Sequence, residues 1–182
     1  MSGTGYALGV HCGITFAGLK PASLFWLDDE TSGDMAYYKN LFAKKDFRFL
    51  PVKHGEGRKL FYVFHRARLE KILFVPENRA FLSEQGYEYS CLGGALKKLK
   101  QRMQNSAEFP HEVGLFLGYP LCDVRGFMQN ARGGICLGCG YWKVYENAEE
   151  REKLFTRYER CSRCIRCKMH CGTPIEKIFG LG

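Results

Sequence analysis

The chain contains no run of ~18 apolar residues, the length a helix needs to span a bilayer. Its start, Met1-Ser-Gly-Thr-Gly-Tyr6, has neither the basic end nor the apolar stretch of a signal peptide, so a cytoplasmic location without membrane attachment is expected. Also missing are a glycine-rich phosphate loop, a Gly-x-Ser-x-Gly elbow and a His-Glu-x-x-His pair, which removes the commonest nucleotide-binding, hydrolase and zinc-protease signatures. No internal repeat or low-complexity tract interrupts the 182 residues.

What is present suffices for a hydrophobic core. With 46% hydrophobic residues, including 14 Phe and 10 Tyr, one compact domain over 1–182 is expected to fold without disulfides. Nine cysteines, an odd number, in a reducing compartment point to free thiols or metal ligands rather than to a bridge framework. The net charge of +8 is scattered over Arg66/Arg68/Lys71, Lys97/Lys98/Lys100/Arg102 and Arg157/Arg160/Arg163/Arg166. Such spread fits solvated helix faces, so nucleic acid is not the expected partner. A protein or small-molecule partner is left unidentified.

Periodicity gives an α+β class: a small, mostly antiparallel sheet with packed helices and a long C-terminal helix. Ser23–Leu27 reads as a buried strand, after the apolar, glycine-dotted stretch Val10–Pro21, and Met35, Tyr38, Leu41 and Phe42 recur at helical spacing. Phe47–Val52 and Lys59–Phe64 form a strand pair around a His54–Gly57 turn. Helices are expected over 66–74, 76–85, 90–104 and 121–129, whereas Phe109–Pro120 fits either a short helix between Pro110 and Gly118, which is preferred, or a buried strand over Val113–Leu117. Tyr141–Tyr145 alternates as a strand, and Asn147 would cap a long helix from Ala148.

The segment 136–182 is rich in cysteine. Cys136-x2-Cys139 followed by Cys161-x2-Cys164 has the knuckle spacing of tetrahedral zinc, although the 21 intervening residues slightly exceed the usual ~15–20. Cys161, Cys164, Cys167 and Cys171 also follow the ferredoxin spacing for an iron–sulfur cluster, without the proline after the last cysteine or a second copy of the run. A zinc or iron–sulfur centre with a structural or redox role is the first expectation, with Cys136, Cys139, Cys161 and Cys164 as the favoured four ligands. The alternative is a metal-free binding or regulatory domain whose thiols only pack. On a continuous helix Cys161, Cys164, Cys167 and Cys171 would fall within about a third of the circumference beside Leu154, Tyr158 and Ile165, as small apolar core residues. Two His-containing pairs, His11-Cys12 and His111-Glu112, are not dyads by themselves, since sequence neighbours diverge by about 100° on a helix. A Cys12 thiolate with His111 as base across the fold would make a thiol enzyme. Whether the chain is an enzyme is left open by these patterns.

Three segments together resemble a known family. These are His11-Cys12 with Ala17–Phe25, Phe109–Val124 (Phe-Pro-His-Glu-Val-Gly-Leu-Phe-Leu-Gly-Tyr-Pro-Leu-Cys-Asp-Val), and Cys139-Gly-Tyr-Trp-Lys-Val-Tyr145. They resemble the uncharacterised bacterial family catalogued as domain of unknown function 3793, found mainly in anaerobes. The resemblance spans nearly the whole chain and implies a small, single-domain, cytoplasmic bacterial protein, without bringing an activity, substrate or catalytic residue. It also implies a terminal helix followed by a Gly-x-Pro step, as at Gly172-Thr-Pro174, and fewer cysteines there than this chain has. A metal or redox site would then be peculiar to this member, or be built from His11, Cys12, His111 and Cys139.

Overall fold

The computed structural model describes residues 2–105, 109–130 and 135–181. A three-stranded antiparallel sheet lies at the centre, formed by β1 (Ala22–Asp28), β2 (Phe47–Gly55) and β3 (Arg58–His65) in the order β1-β3-β2. The expected hairpin is β2–β3, turned through Gly57 at φ 63°, a conformation glycine adopts without steric cost. Pro51 sits on the edge strand next to a register shift between Pro51 and Lys53, where a missing N–H is tolerated.

The middle strand is buried on both faces. Leu60, Tyr62 and Phe64 point into one cluster, while Phe61 and Val63 point into another. The first cluster is covered by α3 (Arg66–Leu73), α4 (Pro76–Glu84), α5 (Leu92–Asn105), α6 (Val113–Phe116) and α7 (Leu121–Gln129). The second is covered by α1 (Gly3–Phe16), α2 (Met35–Ala43) and α9 (Ile175–Ile178). A two-stranded hairpin, β4 (Gly138–Cys139) with β5 (Lys143–Val144), and the long α8 (Ala148–His170) close a third, smaller cluster around Trp142, Val144 and Tyr158. Among the described residues no helix is long and apolar enough to cross a membrane.

Two details depart from expectation. The glycine-dotted start forms helix α1, although each of its glycines costs roughly 1 kcal/mol relative to alanine. Its stability comes from close approach: a Cβ added at Gly13 would lie 2.8 Å from Ile165 Cδ1, and one at Gly9 would overlap Met169. Both partners are buried residues of α8. The second departure is Asn147, which precedes α8 in the left-handed region at φ 53° and makes no side-chain capping bond. Asparagine tolerates that conformation.

Replacing Gly13 with Val is therefore expected to cost about 1–3 kcal/mol by overpacking against Ile165. A lower urea midpoint would register this. Gly33→Ala, where an added Cβ meets nothing within 4 Å, serves as the neutral control. Equal stability of Gly13→Val and the parent would contradict the packing assigned to α1 and α8.

Candidate functional site

The α6–α7 corner is set by Gly118 and Pro120. Gly118 has φ 81°, and a side chain there would collide with Pro21, so the turn demands glycine. Pro120 then stands directly before α7, which brings Asp123 into the first helical turn. The Asp123 side chain is 2% exposed. Its Oδ2 accepts a hydrogen bond from Trp142 Nε1 at 2.8 Å, and its Oδ1 accepts from the backbone N–H groups of Tyr145 and Glu146 at 2.7 and 3.2 Å. Arg151 of α8 approaches the same carboxylate at 3.5 Å. One side chain thus ties α7 to the β4–β5 hairpin and to the start of α8.

Between α6, α7 and this hairpin lies a cavity of about 460 Å³. Phe109, Val124, Phe127, Tyr141 and Trp142 make it largely apolar. Tyr119 stacks on Trp142 with ring centroids 4.6 Å apart and interplanar angle 25°. Polar chemistry enters at His111, whose ring meets Phe127 edge-on at 4.9 Å, at the exposed Cys139, and at Lys143, whose ammonium lies 5.7 Å from the Phe127 centroid. The neighbour of His111 turns away. Glu112, 1% exposed, pairs with Arg102 and accepts a hydrogen bond from Tyr87 Oη at 3.0 Å. Of the pair His111-Glu112, only the histidine reaches the cavity.

Behind Tyr119 stands Lys20, its Nζ 5.5 Å from the ring centroid. Burial lowers its pKa from 10.5 to about 8, opposed by nearby Cys12. Cys12 itself is fully buried on α1 among Leu8, Phe16 and Phe25, and burial pushes its thiol pKa up. His11 stacks on Phe25 at 5.1 Å; loss of water around the ring, with Arg166 nearby, lowers its pKa. The expected partners Cys12 and His111 are not brought together: one sits in the core below β1, the other in the cavity wall.

The C-terminal cysteines divide in the same way. Among the described residues no three His, Cys, Asp or Glu side chains are grouped to hold one metal ion, so the favoured quartet Cys136, Cys139, Cys161 and Cys164 is not assembled. Cys136 and Cys139 belong to the hairpin region, whereas Cys161 and Cys164 line a groove against α9. The helix through Cys161, Cys164 and Cys167 continues as expected, but core packing of its thiols needs correction. Cys164, Cys167 and Cys171 are exposed, and only Cys161 is half-buried. At about 100° per residue the buried stripe of Tyr158, Ile165 and Met169 lies some 100–160° away from the three exposed thiols but only about 40° from Cys161. Asp123 had no comparable signal, because an acid in a first helical turn has an ordinary surface explanation, and Lys20 had only that of a basic residue beside the rigid Pro21, a pattern that a simple turn also explains.

Asp123→Ala would strand Trp142 Nε1, two backbone N–H groups and Arg151, and is expected to lose on the order of 3–5 kcal/mol. A denaturant titration showing less than about 1 kcal/mol would refute its tying role. Lys20 gives a pH test. Because its pKa is lower folded than unfolded, the penalty of charging it is complete below pH 8 and is relieved as pH rises from about 8 to 10.5. Stability of the parent should therefore climb relative to Lys20→Met across that window; a flat difference would contradict the burial.

Comparison with known proteins adds one match. The model of a family described as a protein of unknown function, DUF3793, matches residues 8–179, from α1 to the end of α9. No curated protein and no solved structure matches the chain. With the cavity walls, the central sheet and α8 all inside the matched span, the chain belongs to the DUF3793 family.

Proposed function

We propose that this protein binds a small, largely apolar molecule with one anionic end in the cavity between α6–α7 and the β4–β5 hairpin. The observation that carries this reading is the origin of the walls. Twelve of the thirteen described lining residues come from 109–124 and 139–145, two of the three segments that carry the family resemblance. About 460 Å³ falls within the ~300–1,000 Å³ range of small-molecule sites, and aromatic walls with a few polar groups are their usual make-up. Among the described residues of that wall the basic side chains are Lys143 and His111, so an anionic or hydrogen-bond-accepting group would orient toward them while rings or alkyl chains stack on Phe127 and Trp142.

Thiol chemistry, if this site performs any, would fall to Cys139, which shares the cavity with His111, rather than to the buried Cys12. A reducing, cytoplasmic setting would keep that thiol free.

Titration with the anionic probe 1-anilinonaphthalene-8-sulfonate tests the reading. The native protein should bind one equivalent, with energy transfer from Trp142. Cys139→Phe, which fills the mouth from an exposed position, should weaken binding at least about tenfold, and Lys143→Ala should weaken the sulfonate probe more than neutral N-phenyl-1-naphthylamine. No binding by the folded protein, or binding indifferent to Cys139→Phe, would overturn it.

A further inference from the structure

We propose that Cys161 and Cys164 form a two-thiolate site for a soft monovalent cation of the Cu(I) class, in the groove between α8 and α9. The groove holds about 420 Å³ and is walled by Ile165, Ile178 and Phe179, with both thiols and Lys168 on the α8 side. Residues three apart on a helix have Cβ atoms about 5–6 Å apart, so two sulfurs can approach one ion from opposite sides at roughly 2.3 Å each.

Ligand number selects the metal. Since no third ligand joins the pair among the described residues, tetrahedral zinc or an iron–sulfur cluster would lack donors, whereas soft d¹⁰ Cu(I) accepts two thiolates in a linear arrangement. Capture exchanges two S–H protons for one cation: two thiols and Cu⁺ give a bis-thiolate of net charge −1 and two released protons, with no change in oxidation state. The surroundings suit that extra negative charge. Lys168 stands one helical turn after Cys164 at the groove, and residues 160–175 contain four Lys or Arg and no Asp or Glu. Cys167 and Cys171, by contrast, do not line the groove.

The test is an anaerobic Cu(I) titration of the full chain in competition with bathocuproine disulfonate. The parent should withhold one equivalent, and Cys161→Ser and Cys164→Ser should each weaken that equivalent at least 100-fold. The Cys167→Ser/Cys171→Ser double variant should retain it. Affinity should rise by up to about 100-fold per pH unit below the thiol pKa values, as two protons are displaced. Retention in Cys164→Ser, loss in the Cys167/Cys171 double variant, or absence of a withheld equivalent in the parent would overturn the proposal. Because Cys164 is exposed, its variant keeps the test decisive even where Cys161→Ser disturbs folding.

Discussion

A carboxylate removed from water costs several kcal/mol unless donors surround it, and Asp123 meets that requirement with groups drawn from three places in the chain. Its own helix is α7; the indole of Trp142 and the Tyr145 and Glu146 amides come from the hairpin and its exit, and the Arg151 guanidinium comes from α8. Two strands of two residues each would not hold together in water unaided. The hairpin is placed because leaving Asp123 would abandon a buried acceptor and several donors at once. The cavity wall at Tyr141, Trp142 and Lys143 is a consequence of that placement.

A second buried carboxylate works alongside it. Glu112 is drawn toward Arg102 and Tyr87, which leaves the preceding His111 facing the cavity against Phe127. Both acids therefore spend their hydrogen-bonding capacity on the scaffold, and the cavity stays apolar apart from its basic groups. From the other side the wall is braced by the Tyr119–Trp142 stack and by Tyr158, whose hydroxyl donates to the Leu19 carbonyl at 3.3 Å. The glycine face of α1 then lets α8 approach closely enough for Ile165 and Met169 to fill the space behind.

Much of this framework was legible in the sequence. The β-rich runs Phe47–Val52 and Lys59–Phe64, with Gly57 between them, specified β2 and β3 and their antiparallel pairing, because two such runs joined by a positive-φ turn have few other solutions. Helix α7 matched its expected limits, since Pro120 fixes the start. Helix α1 was not legible. Glycines disfavour a helix locally, and only contact with α8, about 150 residues later, turns them into an advantage. The strand expected over Tyr141–Tyr145 shrinks to Lys143–Val144 because its partner offers only Gly138 and Cys139.

The candidate site was legible in part. His111 and Cys139 stood out as residue types and do share one cavity, while Cys12 stood out equally and proves to be core. The cysteine spacing on α8 was ambiguous for a physical reason: intervals of three, three and four fit both a ligand loop and a helix, and the helix turns three of the four thiols outward. What the sequence could not display was the convergence of donors on Asp123, because it joins positions 19 to 28 residues apart through tertiary contact alone.

Amide hydrogen exchange at Tyr145 and Glu146 tests the central claim most directly. Both residues lie outside helix and strand, where amides ordinarily exchange fast, yet both donate to the buried Asp123 carboxylate. The account predicts protection close to that of the core amides of β3. Exchange at the rate of an open loop would mean that the hairpin is not held by Asp123, and the cavity it walls would lose its basis.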